Sequence, residues 1–564
     1  NEVNKEASAE INNSYGSFNS WKNTVKVGTG LLNNHFTVDA RLSKINSDGY
    51  IDRATSDLSS AYLSAAYLNT KTTVRLNIFT GKEKTYQAWN GVSETDLRNG
   101  NRTINYGGME KPGEPYDNEV DNYNQTHYQL FFNQELSSTL TFNTALFLTR
   151  GKGYYEQYKA EREYAEFGLP NPVIGGTSIT ESDFVRQLWL DNYFYGNIFS
   201  LQYRKKNTQL VVGGAYTKYD GKHYGKLIWS SNGGLPEPAY KWYDNKADKS
   251  DFNIYTKWQQ QLSENWNLFT DLQYRHVGYA INGFRDNPSL SVDNNYNFFN
   301  PKFGISYNKN GWNAYASYGV AAKEPNRDDF EAGASQMPKP ERLHDIEASI
   351  EKRKANHNLS ATFYYMSYDN QLVLTGKVND VGAYTRTNIP ESYRMGVELQ
   401  GGIKFNSWVN ISANLALSNN KVKDFTEFID DYDNGGQKTS TFQSADIAFS
   451  PAVVGGATIN LLPVKNVELS FLSKYVSKQY LDNTENDSRS LNSFFVQDVR
   501  AIYTFKTNWL KEVNIIGQVN NLLGKKYEPN GYTYSYFVGG ETVTENFYFP
   551  MAGRNFMLSL NVKL

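Results

Sequence analysis

No cysteine occurs in the 564 residues. That one absence excludes disulfides, thiolate nucleophiles and cysteine-based zinc sites together. It is compatible with an oxidising compartment. No apolar run approaches eighteen residues, so no membrane-crossing helix is expected. The six histidines are His35, His127, His223, His276, His344 and His357. None pair at i, i+4, so a dedicated transition-metal site is not expected, and no resident cofactor is called. There is no nucleophile elbow, no Walker motif and no HExxH, and no Ser/His/acid set can be located, so the chain is not read as an enzyme. A formal charge of -2 gives no electrostatic footprint for nucleic acid. No signal peptide stands at Asn1, and the chain reads as mature or trimmed.

What the chain has is aromatic residues and alternation. Tyr 42, Phe 32 and Trp 10 make up 15% of it, although the mean hydropathy is only -0.63. A soluble chain of this length would be several domains. A transmembrane β-barrel also hides from hydropathy, because only alternate residues face lipid and its loops are polar. The last stretch, FPMAGRNFMLSLNVKL (549–564), separates Phe556, Leu558, Leu560, Val562 and Leu564 from Asn555, Met557, Ser559, Asn561 and Lys563. With a side-chain period of two, that is a strand with one greasy and one wet face. The same pattern sets Phe36, Val38, Ala40 and Leu42 against Thr37, Asp39, Arg41 and Ser43.

Ten short polar turns recur: at Asn33 and Asn34, then at 69–71, 133–138, 205–208, 262–265, 308–311, 353–356, 404–407, 461–465 and 505–512. Asn, Gly, Lys and Ser dominate them, as tight hairpins require. Between them run long connections, the largest at 81–126 and 152–191. Short turns on one side and long loops on the other mark an outer-membrane barrel. Ten turns give twenty strands. One more near 7–15 and the terminal strand give about 22, the size of plugged outer-membrane transporters. The expected fold is therefore all-β: a single antiparallel barrel over 1–564, with both termini at the periplasmic end. Phe36, Val38, Ala40, Leu42, Phe556, Leu558 and Leu560 should face lipid. Asp39, Arg41, Asp498, Arg500 and Ser559 should face the lumen. A multi-domain soluble β protein, sandwich or propeller, is the bland alternative; alternating loop lengths and a terminal amphipathic strand are not propeller features.

Several blocks resemble the barrel of TonB-dependent outer-membrane receptors, in the form common in Bacteroidota. VNNLLGKKYEPNG (519–531) resembles the penultimate-strand block, and FPMAGRNFMLSLNVKL the closing strand. YASYGVAAKEPNRDDF (315–330), PKPERLHDIEAS (338–349) and NIPESYRMGVELQ (388–400) resemble central blocks, and SDGYIDRATSDLSS (47–60) an early one. The chain departs from the family by ending on Leu564 rather than an aromatic residue. AKEPNRDDF and PKPERL stand where haem receptors often carry their own motifs, which argues against haem. The resemblance implies active uptake of a bulky scarce solute, foremost a ferric siderophore, across the outer membrane of a Gram-negative bacterium. Iron would arrive within the small-molecule chelate. A TonB–ExbB–ExbD complex would supply energy through an N-terminal plug, expected upstream because few residues precede the first strand. A surface lipoprotein is a possible further partner, and outer-membrane lipid surrounds the wall. Cobalamin or haem uptake, or a passive or structural pore, are the alternatives.

Within the loops, aromatic rings and cations occur together, which suits planar anionic ligands such as catecholate iron chelates. The candidates are Tyr86, Trp89, Arg102 and Tyr106 in the first long loop, and Tyr154 and Tyr155 opening the next. Lys323 with Arg327, and Tyr384 with Arg386, follow in later loops. The competing reading is an interface girdle or loop-to-loop packing. Acidic clusters at 117–121, 430–433 and 482–487 lack EF-hand spacing and read as solvated charge.

Overall fold

The computed structural model describes residues 5–331, 337–379 and 384–564. Alternation dictates its architecture. Twenty-two antiparallel strands form one closed barrel. A two-residue piece, Ala445–Asp446, adds to the strand Val409–Lys423 as an extra member of the sheet. Closure occurs where the first strand, Ala7–Gly16, meets the last, Asn555–Lys563, with Ile11 opposite Val562 and Tyr15 opposite Leu558.

Directly opposed residues share a face, so the register carries the apolar face from strand to strand. Val25 lies opposite Leu42, Ala40 opposite Leu63, Leu63 opposite Ile78, and Ile78 opposite Tyr128. The circuit ends at Ile515 opposite Leu560. Phe36, Val38, Leu42, Phe556, Leu558 and Leu560 are all exposed on the outside, as their spacing requires. The inward face is polar. Ser14 and Ser559 join hydroxyls at 2.8 Å, Thr24 and Ser43 at 3.0 Å, and Arg500 approaches Glu468 at 3.8 Å. Asp39 and Arg41 share that inward parity.

A charge on the outward face meets hydrocarbon, and one on the inward face does not. Leu63→Arg is expected to cost about 2–4 kcal/mol, and Ser60→Arg within about 1 kcal/mol. Guanidinium melts of the barrel refolded in vesicles measure the difference.

The ten short turns all lie at the end where the first strand starts, at Ala7, and the last one finishes, at Lys563. The third falls at 138–139, because the strand Val120–Ser137 runs through the expected turn. The long connections are shorter than expected and the strands longer. The strand Thr72–Tyr86 shortens the first loop to 87–119, and Leu140–Glu163 with Glu181–Lys205 shortens the second to 164–180. The last of these strands has 25 residues, not about ten. Strands that outrun the lipid lose their apolar face, so polar residues on both sides conceal the continuing ladder.

Candidate functional site

At the loop-bearing end three loops fold into one sheet. Its order is Gln437–Phe442, Phe425–Asp431, Gly531–Val538, Glu541–Tyr548 and Val92–Ser93. Several aromatic and cationic candidates serve to hold these loops together. The Tyr86 hydroxyl is buried and donates to the Tyr116 carbonyl at 2.6 Å. Tyr106 donates to Asp96 at 2.6 Å beside the short helix Glu94–Arg98. Arg102 pairs with Glu528 at 2.5 Å and donates to the Tyr527 carbonyl, tying loop 87–119 to loop 521–554. The Tyr384 hydroxyl donates to the Gly531 carbonyl at 2.6 Å. Arg102 and Tyr384 are struts to the loop 521–554, whereas Tyr86 and Tyr106 brace the first loop from within.

Parity separates Tyr154 from Tyr155. Tyr154 lies opposite Trp189 on the outward face, with ring centroids 4.7 Å apart. Tyr155 lies opposite Asp121 and Leu188 on the inward face. Trp89 stands edge-on to Tyr155 at 4.8 Å, so these two candidates form one aromatic corner inside the mouth.

The inner wall continues from that corner through Tyr123, Tyr219, His223 and Tyr243, all of inward parity. Glycines let their rings lie flat. A Cβ at Gly151 or Gly153 would collide with Tyr123, and one at Gly221 with the ring of Tyr219. None of these wall residues was singled out by sequence. A Tyr two residues from a Gly on the same strand face, as at Tyr219 and Gly221, was the available signal.

In front of this wall runs a strap, 324–331, ending in the short helix Arg327–Glu331. Three anchors dock it. Glu324 receives Arg275 at 2.7 Å and Lys249 at 2.6 Å. Asp329 receives both Nε and Nη2 of Arg386, at 2.9 and 2.7 Å. Phe330 is fully buried among Val277, Ile281, Phe284, Val292 and Phe298. Arg386 is thus an anchor for the strap, committed to a carboxylate. Arg327 stacks over Phe284 at 4.7 Å, and its charge acts on Tyr219, His223 and Tyr243. Its Nε is buried without a hydrogen-bond partner. Lys323 is exposed at the foot of the strap, on the inward face. Of the ten candidates, Trp89, Tyr155, Lys323 and Arg327 face the mouth.

Burial alone would raise the Glu324 carboxyl, but hydrogen bonds from Arg275 and Lys249 hold it below its ordinary 4.5. A depressed acid stabilises the docked state above its undocked pKa, and that contribution is lost as pH falls through the docked value. The strap is therefore expected to stay docked from pH 7 to 5 and to loosen below about pH 4.5. Hydrogen exchange of 324–331 against pH checks this. In the loops, burial pushes the Tyr532 and Tyr548 hydroxyls up to about 12. Burial also raises Glu119, whose carboxylate accepts the Tyr158 N–H at 3.2 Å.

A cavity of about 760 Å³ lies beside the strap, lined by Arg386, Lys377, Thr375, Phe425, Arg489 and Thr533 among others. Of its cations, Arg386 and Arg489 are already matched, the second by Asp482 at 2.9 Å and by Glu427. The acidic clusters are likewise engaged. Asp433 accepts the Gly539 and Gly540 N–H groups at 2.8 Å, and Asp431 those of Asp433 and Asn434 at 3.0 Å. No group of three metal-ligating side chains occurs among the described residues.

Solved structures share this architecture. The ferric-catecholate import receptor Fiu from K12 E. coli, in its closed form, superposes with a TM-score of 0.72 at 14% identity, over 100% of this chain and 82% of its own. The siderophore receptor PiuA from Acinetobacter baumannii gives 0.75 at 15% identity, over 100% and 82%. The ferric citrate transporter FecA, unliganded, gives 0.73 at 15% identity, over 100% and 79%. No curated protein sequence matches the chain. Residues 62–522 match the family described as TonB dependent receptor-like, beta-barrel. A closed barrel of 22 strands, with short turns at one end and folded loops at the other, is what that match requires, and the chain belongs to the TonB-dependent receptor β-barrel family.

Proposed function

We propose that the protein is an outer-membrane uptake receptor that captures a bulky, scarce solute at its loop-bearing end, foremost a ferric siderophore of catecholate type. The observation that carries this reading is the inner wall. Trp89, Tyr155, Tyr219 and His223 stand on the inward face, and Arg327 supplies a cation stacked on Phe284 beside them. Planar anionic rings stack on such faces and pair with such a cation. Recognition of this kind addresses the organic shell of a chelate rather than bare metal. The names of the structural relatives, a ferric-catecholate receptor and a siderophore receptor among them, point the same way.

The sequence carries no Walker motif, and the family implies energisation through TonB, so the TonB–ExbB–ExbD complex is the proposed energy source. The inward face carries Asp39, Arg41, Asp498 and Arg500, so a polar filler suits it there. A globular plug carrying the TonB contact is the proposed filler in the complete protein. Titration of the purified receptor with ferric tris-catecholate and with a ferric trihydroxamate, followed by tryptophan fluorescence, tests the ligand class. Expected is saturable quenching by the first at least tenfold tighter than by the second. Equal affinities would contradict the catecholate reading.

A further inference from the structure

The polar inward face is interrupted on four adjacent strands: Val120–Ser137, Leu140–Glu163, Glu181–Lys205 and Thr208–Ser230. Below Tyr155, no carboxylate, lysine or arginine faces inward from them until Glu135 and Arg204 beside the turns. Rings and aliphatic groups take the place of charge. Phe194 lies directly opposite Tyr219, so the wall of the mouth continues downward without a break. Its ring meets Phe147 at 5.2 Å. Two residues below Phe147, Ala145 stands between Phe131 and Ile198 of the neighbouring strands. On the following strand, Tyr240–Gln261, Tyr255 lies across Gly213. A Cβ on that glycine would come within 2.6 Å of the tyrosine oxygen. On the other flank His127 stacks on Phe79 at 4.3 Å. Phe194 and Ile198 are 37% and 46% exposed although no lipid reaches them, and a contiguous uncovered apolar patch marks a contact surface.

The lane ends in a cavity of about 480 Å³ lined by Arg75, Phe131, Ala145, Ile198 and Tyr255 among others. Arg75 donates to Ser64 and Tyr62, each at 2.9 Å, and has no carboxylate partner among the described residues. The foot of the lane thus repeats the chemistry of the mouth, rings beside a cation. On the far side Lys257 lies over Tyr255 at 5.3 Å and is committed to Asp271 at 3.2 Å. Elsewhere on the inward face Phe269, Tyr315 and Tyr364 stand singly, with no ring contact among the described residues. Their surroundings include Asp345, Glu347, Arg394 and Glu398.

We propose that this lane carries the solute's planar rings from the mouth down the lumen, and that the cavity at its foot is a second site for an aromatic anion. The proposal rests on the reading of the solute as a planar anionic chelate. A ring moving from Tyr219 past Phe194 and Phe147 to Phe131 exchanges one aromatic contact for the next. Arg75 receives its negative charge at the foot. No charged wall group has to give up water along the way.

Cells expressing the complete protein test it, with radiolabelled ferric tris-catecholate as the probe. Binding under a protonophore reads capture at the mouth, and accumulation without it reads passage. In F131A/I198A/Y255A, capture should stay within about twofold while accumulation slows about tenfold, the equivalent of one or two lost ring contacts. Ile198→Glu keeps every ring and places a negative charge on the lane. It should slow accumulation as well, and Ile198→Gln should do so less. Tyr364→Ala, an isolated ring outside the lane, should change neither reading. Heat-modifiable migration on gels confirms that each variant is folded. Capture and accumulation falling together, accumulation untouched by the triple variant, or an equal loss from Tyr364→Ala would each overturn the lane. Untouched accumulation with a new ion leak would assign the rings to seating a plug instead. Wild-type cells that do not bind the chelate would overturn the ligand reading itself, and the role of the lane with it.

Discussion

Replacing Trp89 and Tyr155 together by alanine is expected to weaken capture of ferric tris-catecholate by about a hundredfold while the barrel stays intact. Each ring offers an aromatic contact worth roughly 1 kcal/mol beyond simple burial, and removing the pair also opens the corner they form. Because the rings touch each other at 4.8 Å, the two single variants should not sum to the double one. Arg327→Gln removes the cation facing the same space and should add about tenfold. Arg102→Gln should act differently. Its partner is Glu528, so its loss unties two loops, and affinity should fall along with protease resistance at the mouth. Fluorescence titration with limited proteolysis separates these outcomes.

The second large effect concerns the strap. Phe330→Ala should cost about 3–5 kcal/mol of local docking, because a fully buried ring is lost from a closed apolar cluster. Exchange of the amides in 324–331 should accelerate by at least a hundredfold, while the barrel's denaturation midpoint stays put. Asp329→Asn should loosen the same segment by leaving Arg386 largely buried and without its ion pair. If exchange accelerates equally in the strands flanking the strap, the segment is not a separate unit.

The lipid-facing half of the barrel was legible in the sequence because hydrocarbon enforces a period of two. Phe36, Val38, Leu42, Phe556, Leu558 and Leu560 all face outward, and the short turns lie close to where Asn, Gly, Lys and Ser cluster. Legibility stopped at the upper edge of the membrane. Residues 81–86 and 152–163 read as loop because water wets both faces of those strands, and nothing selects an apolar side. The same loss of pattern hid the parity that sends Tyr154 out and Tyr155 in. Cations beside aromatic rings look alike whether they bind a ligand or brace a loop. What distinguishes Arg102 and Arg386 from Arg327 is a carboxylate brought from far along the chain, Glu528 or Asp329, and only the fold reveals it. The wall tyrosines 123 and 219 were missed for a related reason. Their inward-facing posture depends on glycines, one set of them on a neighbouring strand.

The most direct measurement is uptake of radiolabelled iron, presented as ferric tris-catecholate, by cells expressing the complete protein. The expected result is saturable accumulation that stops when a protonophore collapses the inner-membrane gradient and that falls sharply in the Trp89/Tyr155 double alanine variant. Accumulation that rises linearly with concentration, ignores the protonophore and is unchanged by the double substitution would contradict an energised receptor and identify a passive pore.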